Sequence, residues 1–345
     1  MLGGGIFVTQ NKTLPGSYIN IVNASAATSA VSDRGVVAIA LPLNKSAGTV
    51  IEISRAEFIK DCENRLGKKL DSADVVALRE IFCNASKCYI YDLGEDGTAS
   101  EAVSALEPYE FNVLCAYCNE SEDVTTYVDT VKNWRDGMGK KCQVVVYNQS
   151  SPDSEAVINV VSTVSDESAP EYALVAWVAG AEAGCKINES LTNAKYDGEY
   201  KIVTDKTQSQ LETCIEDGQI VFHLVYGEVR MLEDINSLTS VTADKGEDFK
   251  YNQTIRVVDQ IANDIAKLFN TKYLGRIPNN ASGRVSLWAD IVAHHRELEA
   301  ISAIEAFDSS LLTVEQGANK KSVVVNDAIT VVNAMAQLYM TVVIQ

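Results

Sequence analysis

Between residues 36 and 147, short continuous apolar runs alternate with stretches whose apolar residues fall at helical spacing. The runs cover 36–41, 87–91, 111–116 and 143–147. The stretches between them predict helices over 55–65, 73–83, 100–106 and 123–135; in the last, Val124, Tyr127, Val128, Val131 and Trp134 share one face. This order predicts a mixed α/β (α+β) fold. Because the strands are continuous rather than alternating runs, it predicts a parallel sheet covered by helices on both faces.

A further strand is expected over 156–161 and a helix over 171–185. That helix carries Ala173, Ala176, Ala179, Gly180, Ala183 and Gly184, small residues that let backbones approach closely. A hairpin over 219–226 and 228–233 is expected to turn at Gly227. The pattern then changes. Val257, Ile261, Ile265 and Leu268 form an amphipathic helical stripe, and Leu287, Ile291, Leu298 and Ile301 predict a second helix over 285–306. A strand-like run covers 322–332.

Both ends of the chain are β-prone. Tyr18, Ile19, Asn20 and Ile21 follow the turn signal Pro15-Gly16, inside a stretch, 1–32, that has no acidic residue although the chain carries 47. At the other end, Tyr339, Met340, Val342 and Val343 belong to an apolar run that closes the sequence. An unpaired strand of this kind aggregates unless something accepts it. The expected organisation is therefore an arm over 1–24, an α/β region over 25–250, a C-terminal α+β domain over 251–335 and a second arm over 336–345.

Length and charge narrow the function. A chain of 345 residues is long enough for two domains. A formal net charge of -18 excludes a general nucleic-acid binder or an anionic-membrane binder, both of which need a cationic face. The start has no basic segment followed by an apolar core, and no apolar run approaches the ~20 residues that span a bilayer.

Candidate chemistry is sparse. The chain has no Gly-x-x-x-x-Gly-Lys-Ser/Thr loop and no Gly-x-Ser-x-Gly elbow, and only three histidines. His294-His295 lacks the i, i+4 spacing of a zinc-binding pair, and His295 falls on the apolar stripe, so both are expected to be satisfied, semi-buried side chains; His223, in mid-strand, is read the same way. Eight irregularly spaced cysteines are expected to be reduced. Cys115-Ala116-Tyr117-Cys118 follows a strand and precedes a helix, the context of a thiol-redox pair, and Cys83 and Cys88 could extend it to a zinc site. Packing cysteines are the simpler expectation. No catalytic, cofactor-binding or metal residue is assigned. The sharper feature is a basic island: 265–289 contains no Asp or Glu but carries Lys267, Lys272, Arg276 and Arg284. It is either a solvated loop or a docking face for an acidic partner.

These C-terminal residues resemble the contractile tail sheath family. The likeness is carried by Thr254-Ile255-Arg256-Val257-Val258-Asp259, by Lys272-Tyr273-Leu274-Gly275-Arg276-Ile277-Pro278-Asn279-Asn280, by Arg284 with Leu287-Trp288, and by Leu338-Tyr339-Met340-Thr341-Val342. Upstream, Pro15-Gly16-Ser17-Tyr18-Ile19-Asn20, Arg34-Gly35-Val36-Val37, Ala176-Trp177-Val178-Ala179-Gly180, Asn188-Glu189-Ser190-Leu191-Thr192 and Tyr196-Asp197-Gly198 are similar to other parts of that family. The short sheaths of Gram-positive prophages and phage-tail-like bacteriocins are the nearest likeness. The resemblance implies a structural, non-enzymatic subunit without a cofactor. It would stack in hexameric rings around an inner tail tube, capped by baseplate and terminator proteins, in a virion tail or bacteriocin particle assembled in the bacterial cytoplasm. In that family the terminal arms add strands to neighbouring subunits, and the C-terminal domain faces the tube. Tyr18, Ile19, Asn20, Ile21, Tyr339, Met340, Val342 and Val343 would be linking positions. Lys267, Lys272, Arg276 and Arg284 would be tube contacts.

Overall fold

The computed structural model describes residues 31–342. The apolar runs assemble into one seven-stranded sheet. Its strands are β1 (Val36–Leu41), β2 (Val50–Ser54), β3 (Lys87–Asp92), β4 (Val113–Cys115), β5 (Gln143–Tyr147), β6 (Val157–Val160) and β7 (Gln219–Ile220), in the spatial order β2-β3-β1-β4-β5-β6-β7. All neighbours run parallel except β2, which is antiparallel to β3. The pleat sends Val37, Ile39 and Leu41 to one face and Ala38 and Ala40 to the other. Helices α1 (Arg55–Leu66), α2 (Val76–Ile81) and α5 (Leu174–Gly184) cover the first face; α3 (Ala99–Leu106) and α4 (Ser121–Asn133) cover the second. Helix α6 (Gln208–Glu216) packs beside β7. Both layers expected from the continuous runs are present.

Local chemistry explains several boundaries. Ser54 with Glu57, Thr98 with Glu101 and Thr207 with Gln210 form capping boxes at the starts of α1, α3 and α6. The small residues of α5 permit the close packing expected of them: a Cβ added at Gly180 would lie 2.3 Å from the Ile81 carbonyl oxygen, and one at Gly184 2.3 Å from that of Asn84. The predicted strand over 219–226 divides. Its first part is β7 of the main sheet, and the rest is β8 (Phe222–Val225), which pairs with β9 (Glu228–Met231) across a turn at Tyr226 and Gly227, both with positive φ.

A separate C-terminal core is built by α7 (Asn252–Leu268), α8 (Ala281–Ala300) and the hairpin β10 (Thr313–Gln316) with β11 (Val323–Asn326). The stripe read from sequence faces this core, with Val257 and Leu268 buried and Ile261 and Ile265 packed against it. Helix α8 starts earlier than periodicity suggested because the Asn280 side chain accepts a hydrogen bond from the Gly283 N–H. It also ends earlier, at Ala300, and of the expected strand-like run over 322–332 only β11 and a bridge between Val331 and Ile304 form.

One turn offers a stability test. Asp92, fully buried at the end of β3, accepts hydrogen bonds from the N–H groups of Asn44, Lys45 and Ser46 at 2.9, 2.7 and 2.7 Å and from Gly94 at 3.1 Å. Burial pushes this carboxyl up, but the backbone donors outweigh it and hold it below the usual carboxylate value. Asp92→Asn should cost about 1–3 kcal/mol at neutral pH in urea unfolding. Because the folded value is depressed, the contribution is present above the unfolded carboxylate range and lost as pH falls through the folded value. The deficit of Asp92→Asn should therefore shrink in acid; a deficit independent of pH would refute the charge-assisted role.

Candidate interaction surfaces

Three features could carry function: the C-terminal tail, the basic loop of the C-terminal core, and the polar face of α7. The tail leaves the body at a defined point. Gln253, buried near the start of α7, donates to the Val332 carbonyl at 3.1 Å and accepts from the Ala334 N–H at 2.9 Å, while Thr254 donates to the Asn333 side chain. Beyond Ala334 the described chain forms no regular structure. Met335, Leu338, Tyr339, Met340 and Val342 are 71–101% exposed. The candidates Tyr339, Met340 and Val342 thus lie largely exposed on this tail, where the Tyr339 hydroxyl donates to the Gln337 side chain. Val343 and the run Tyr18, Ile19, Asn20 and Ile21 lie outside the described residues.

Strands β10 and β11 pair only with each other among the described residues. Each presents an open edge of backbone donors and acceptors, the geometry that accepts an added strand.

The four residues of the basic island do not form one face. Lys267 lines a cavity of about 240 Å³ with Glu110, Lys140 and Lys141, at the N-terminal ends of the main-sheet strands. Lys272 is paired with Asp290 at 2.6 Å. Arg276 is exposed and donates to the Thr271 carbonyl, and Arg284 donates to the Asn279 backbone and side chain at 3.3 and 3.1 Å. Asn279 in turn donates to the carbonyls of Lys320 and Ser322. That contact brings the turn of the β10–β11 hairpin beside the loop, so Arg284 and Lys321 line one cleft with Ile277 and Pro278. The shared basic surface is therefore Arg284 with Lys321, flanked by the exposed Arg276 of the loop and by Lys320 of the turn. Sequence spacing missed the two lysines because they lie far along the chain, although the Lys320-Lys321 doublet was itself a signal.

The thiols are placed against redox and zinc chemistry. Cys115 sits in the core on the face covered by α1, α2 and α5, whereas Cys118 packs against the core of the opposite face. Cys88 lies on β3, separated from β4 by the intervening β1. Burial pushes Cys83 and Cys118 up to about 12 and raises Cys115 well above the usual thiol value, which disfavours the thiolate that attacks disulfides or binds metal. All eight cysteines are free, and none of the described residues form a metal-binding cluster. His294 and His295 are more deeply buried than expected, and both are hydrogen-bonded to carboxylates.

The polar face of α7, which sequence reading assigned no role, is buried. Arg256 bridges Glu182 of α5 and Asp234 beyond β9, all three 1–2% exposed, and donates also to the Glu189 carbonyl. Asn252 donates to Glu182 and to the Ile235 carbonyl, and accepts from Gln143 of β5. One turn along, Arg135 holds Asp259 through two hydrogen bonds of 2.6 and 2.9 Å. Asn263 exchanges two more with the Lys141 backbone. One helix thus buries apolar residues in its own core and polar residues against the α/β sheet. It fixes the two regions relative to each other, and with them the tail root at Gln253 and the basic loop.

Residues 95–237 match the phage tail sheath protein central domain, and residues 244–345 match the phage tail sheath C-terminal domain. Over 268 residues the chain is 29% identical to the uncharacterized protein YqbK of Bacillus subtilis, covering 72% of this chain and 57% of that one. It is 28% identical to the phage-like element PBSX protein XkdK of the same organism, covering 70% and 55%. It is 29% identical to the tail sheath protein of Clostridium phage phiCD119, covering 67% and 64%. The chain therefore spans less than two thirds of the length of these relatives. Among solved structures, the sheath tail protein of Desulfitobacterium hafniense superposes with a TM-score of 0.79 at 24% identity, covering 94% of this chain and 99% of that one. The anti-feeding prophage helical sheath in its contracted state gives 0.72 at 14% identity, covering 96% and 99%.

Proposed function

The chain belongs to the phage tail sheath family, and on that premise we propose that it is the subunit of a contractile sleeve that polymerises around an inner tube and drives it through a cell envelope. The observation that carries this reading is the exposed apolar tail beyond Ala334, in a chain that also carries a hairpin with open edges. A tail strand added to the hairpin of a neighbouring copy gains main-chain hydrogen bonds, while its alternate side chains fix the register. Such links hold while the bodies rotate. The sleeve is then a bistable rigid-body assembly whose energy is stored when it forms, and contraction needs no catalytic residue, nucleotide or cofactor.

The partners proposed are further copies in hexameric rings, the tube, and the baseplate and terminator proteins that cap the sleeve, assembled in the bacterial cytoplasm. The tube contact is assigned to Arg276 and Arg284, with Lys320 and Lys321 added. Lys267 and Lys272 are peripheral to it, because one faces Glu110 and the other is paired with Asp290. A phage tail is the first setting. A bacteriocin or another injection system is the second, favoured by the fold likeness to the anti-feeding prophage sheath. Electron microscopy of the purified full chain should show rings, sleeves or polymers. A protein that stays strictly monomeric at high concentration would overturn the proposal.

A further inference from the structure

Between α7, α8 and the exit of β11 lies a row of four titratable groups. Asp264 Oδ2 contacts His294 Nε2 at 3.0 Å, His294 Nδ1 faces His295 Nδ1 at 3.4 Å, and His295 Nε2 contacts Asp327 Oδ2 at 2.6 Å. Both imidazoles are buried, at 1% and 0% exposure. Each of the three contacts needs one hydrogen, since two lone pairs repel and two N–H groups clash. Two ionised carboxylates bring none, and two neutral imidazoles bring one each. Two hydrogens cannot fill three contacts. With both directed at the carboxylates, the two Nδ1 atoms would meet bare.

We propose that Asp264, His294, His295 and Asp327 form a relay, buried at Asp264 and both imidazoles and open to solvent at Asp327, that holds one hydrogen more than two neutral imidazoles supply, and that this shared proton locks the segment leading into β1 and the segment leaving β11 onto the same pair of helices. The first segment is held because the Ser32 N–H donates to Asp264 Oδ2 at 3.2 Å. The second is held through Asp327, which directly follows β11. With the extra hydrogen the buried part of the row, Asp264 with the two imidazoles, carries no net charge in place of one negative charge, which lowers the cost of burying it, while the Asp327 carboxylate reaches solvent. Losing that hydrogen leaves two facing lone pairs, and gaining another sets two N–H groups against each other, so the row is complete only with that one added hydrogen.

The surroundings leave the count unchanged. Gln260 of α7 donates to Asp264 and ties it to Arg34 of the lead-in segment. Glu297 of α8 accepts from the Val31 N–H. From the loop before β10, Phe307 packs edge-on against His295 and is approached by the Arg296 guanidinium. None of these supplies a hydrogen to the row of contacts between the rings.

The inference stands independently of the sheath reading, because it concerns hydrogens inside one subunit. Magnetic-resonance spectra of the full chain labelled with 15N and 13C, carrying His223→Gln so that only this pair reports, count the hydrogens on the four ring nitrogens and two carboxyls at neutral pH. Three is the expected result; two, with both Nδ1 atoms bare, would overturn the proposal. In Asp327→Asn the amide can donate to His295 Nε2 and fill the third contact itself. That variant should therefore show only two ring hydrogens, one on each imidazole. Three ring hydrogens there would also overturn it, and the wild-type count decides the matter even where the variant fails to fold.

Discussion

Ending the chain after Ala334 should abolish sleeves and polymers while leaving the subunit folded. The cut removes Met335, Leu338, Tyr339, Met340 and Val342, which are highly exposed and contribute nothing to the three buried cores. It keeps every hydrogen bond of the tail root, since Gln253 and Thr254 hold Val332, Asn333 and Ala334. The unfolding midpoint should thus stay within the ±0.5 kcal/mol expected of surface changes, and far-ultraviolet circular dichroism should be unchanged. Assembly should fall to the level of isolated subunits, read by sedimentation and electron microscopy. Because the tail works through its backbone as well as its side chains, supplying it as a separate peptide should compete with assembly of the full chain at stoichiometric excess. Normal sleeves from the truncated chain would sink the linking role of the tail while leaving family membership untouched.

The legible and illegible parts of this molecule divide along one physical line. Where apolar residues form long runs or stripes, their spacing showed the contact, although the short strands β2 and β10 were not among the expected elements. The continuous runs of β1, β3 and β5 announced a sheet buried on both faces, the small residues of α5 announced its close approach to α2, and the stripe on α7 announced the C-terminal core. The apolar tail was visible for the same reason. Polar burial was not visible. The opposite face of α7, with Asn252, Arg256, Asp259, Gln260 and Asp264, has the composition of a solvated surface, yet all five are at most 6% exposed. Only the partners distinguish the two cases, and those partners, Glu182, Asp234, Arg135 and His294, come from four separate stretches of the chain. The basic surface failed in the same manner. A gap in acidic residues pointed to the loop, but Lys272 already had Asp290, and the cation that joins Arg284 in the cleft, Lys321, arrives with the β10–β11 turn.

The largest single-residue effect should come from that hidden face. Arg256→Leu removes the cation that Asp234 and Glu182 share, and Leu fills part of the volume, so the loss reflects charge more than a cavity. Burial raises the Glu182 carboxyl well above its usual value; at Asp234 burial also pushes upward, but the Arg256 guanidinium together with the hydrogen bonds from Glu182 and the Leu191 N–H outweighs it and keeps that carboxyl below its usual value. In the variant, Asp234 is left as a buried charge without its cation. Breaking a buried pair in this way costs about 3–5 kcal/mol, a large part of the 5–15 kcal/mol that holds a typical domain together. Guanidinium unfolding of the monomer ending at Ala334 gives the value without interference from assembly. The pH dependence separates this cause from lost packing. Asp234 in the variant has no cation to hold its value down, so protonation relieves it, and the deficit against wild type should shrink as pH falls through the carboxylate range. Combining Arg256→Leu with Asp234→Asn and Glu182→Gln, which removes the buried charges but keeps their shape, should recover much of the loss. A single variant losing less than about 1 kcal/mol, or a triple variant no better than the single one, would show that α7 is seated by its apolar stripe alone.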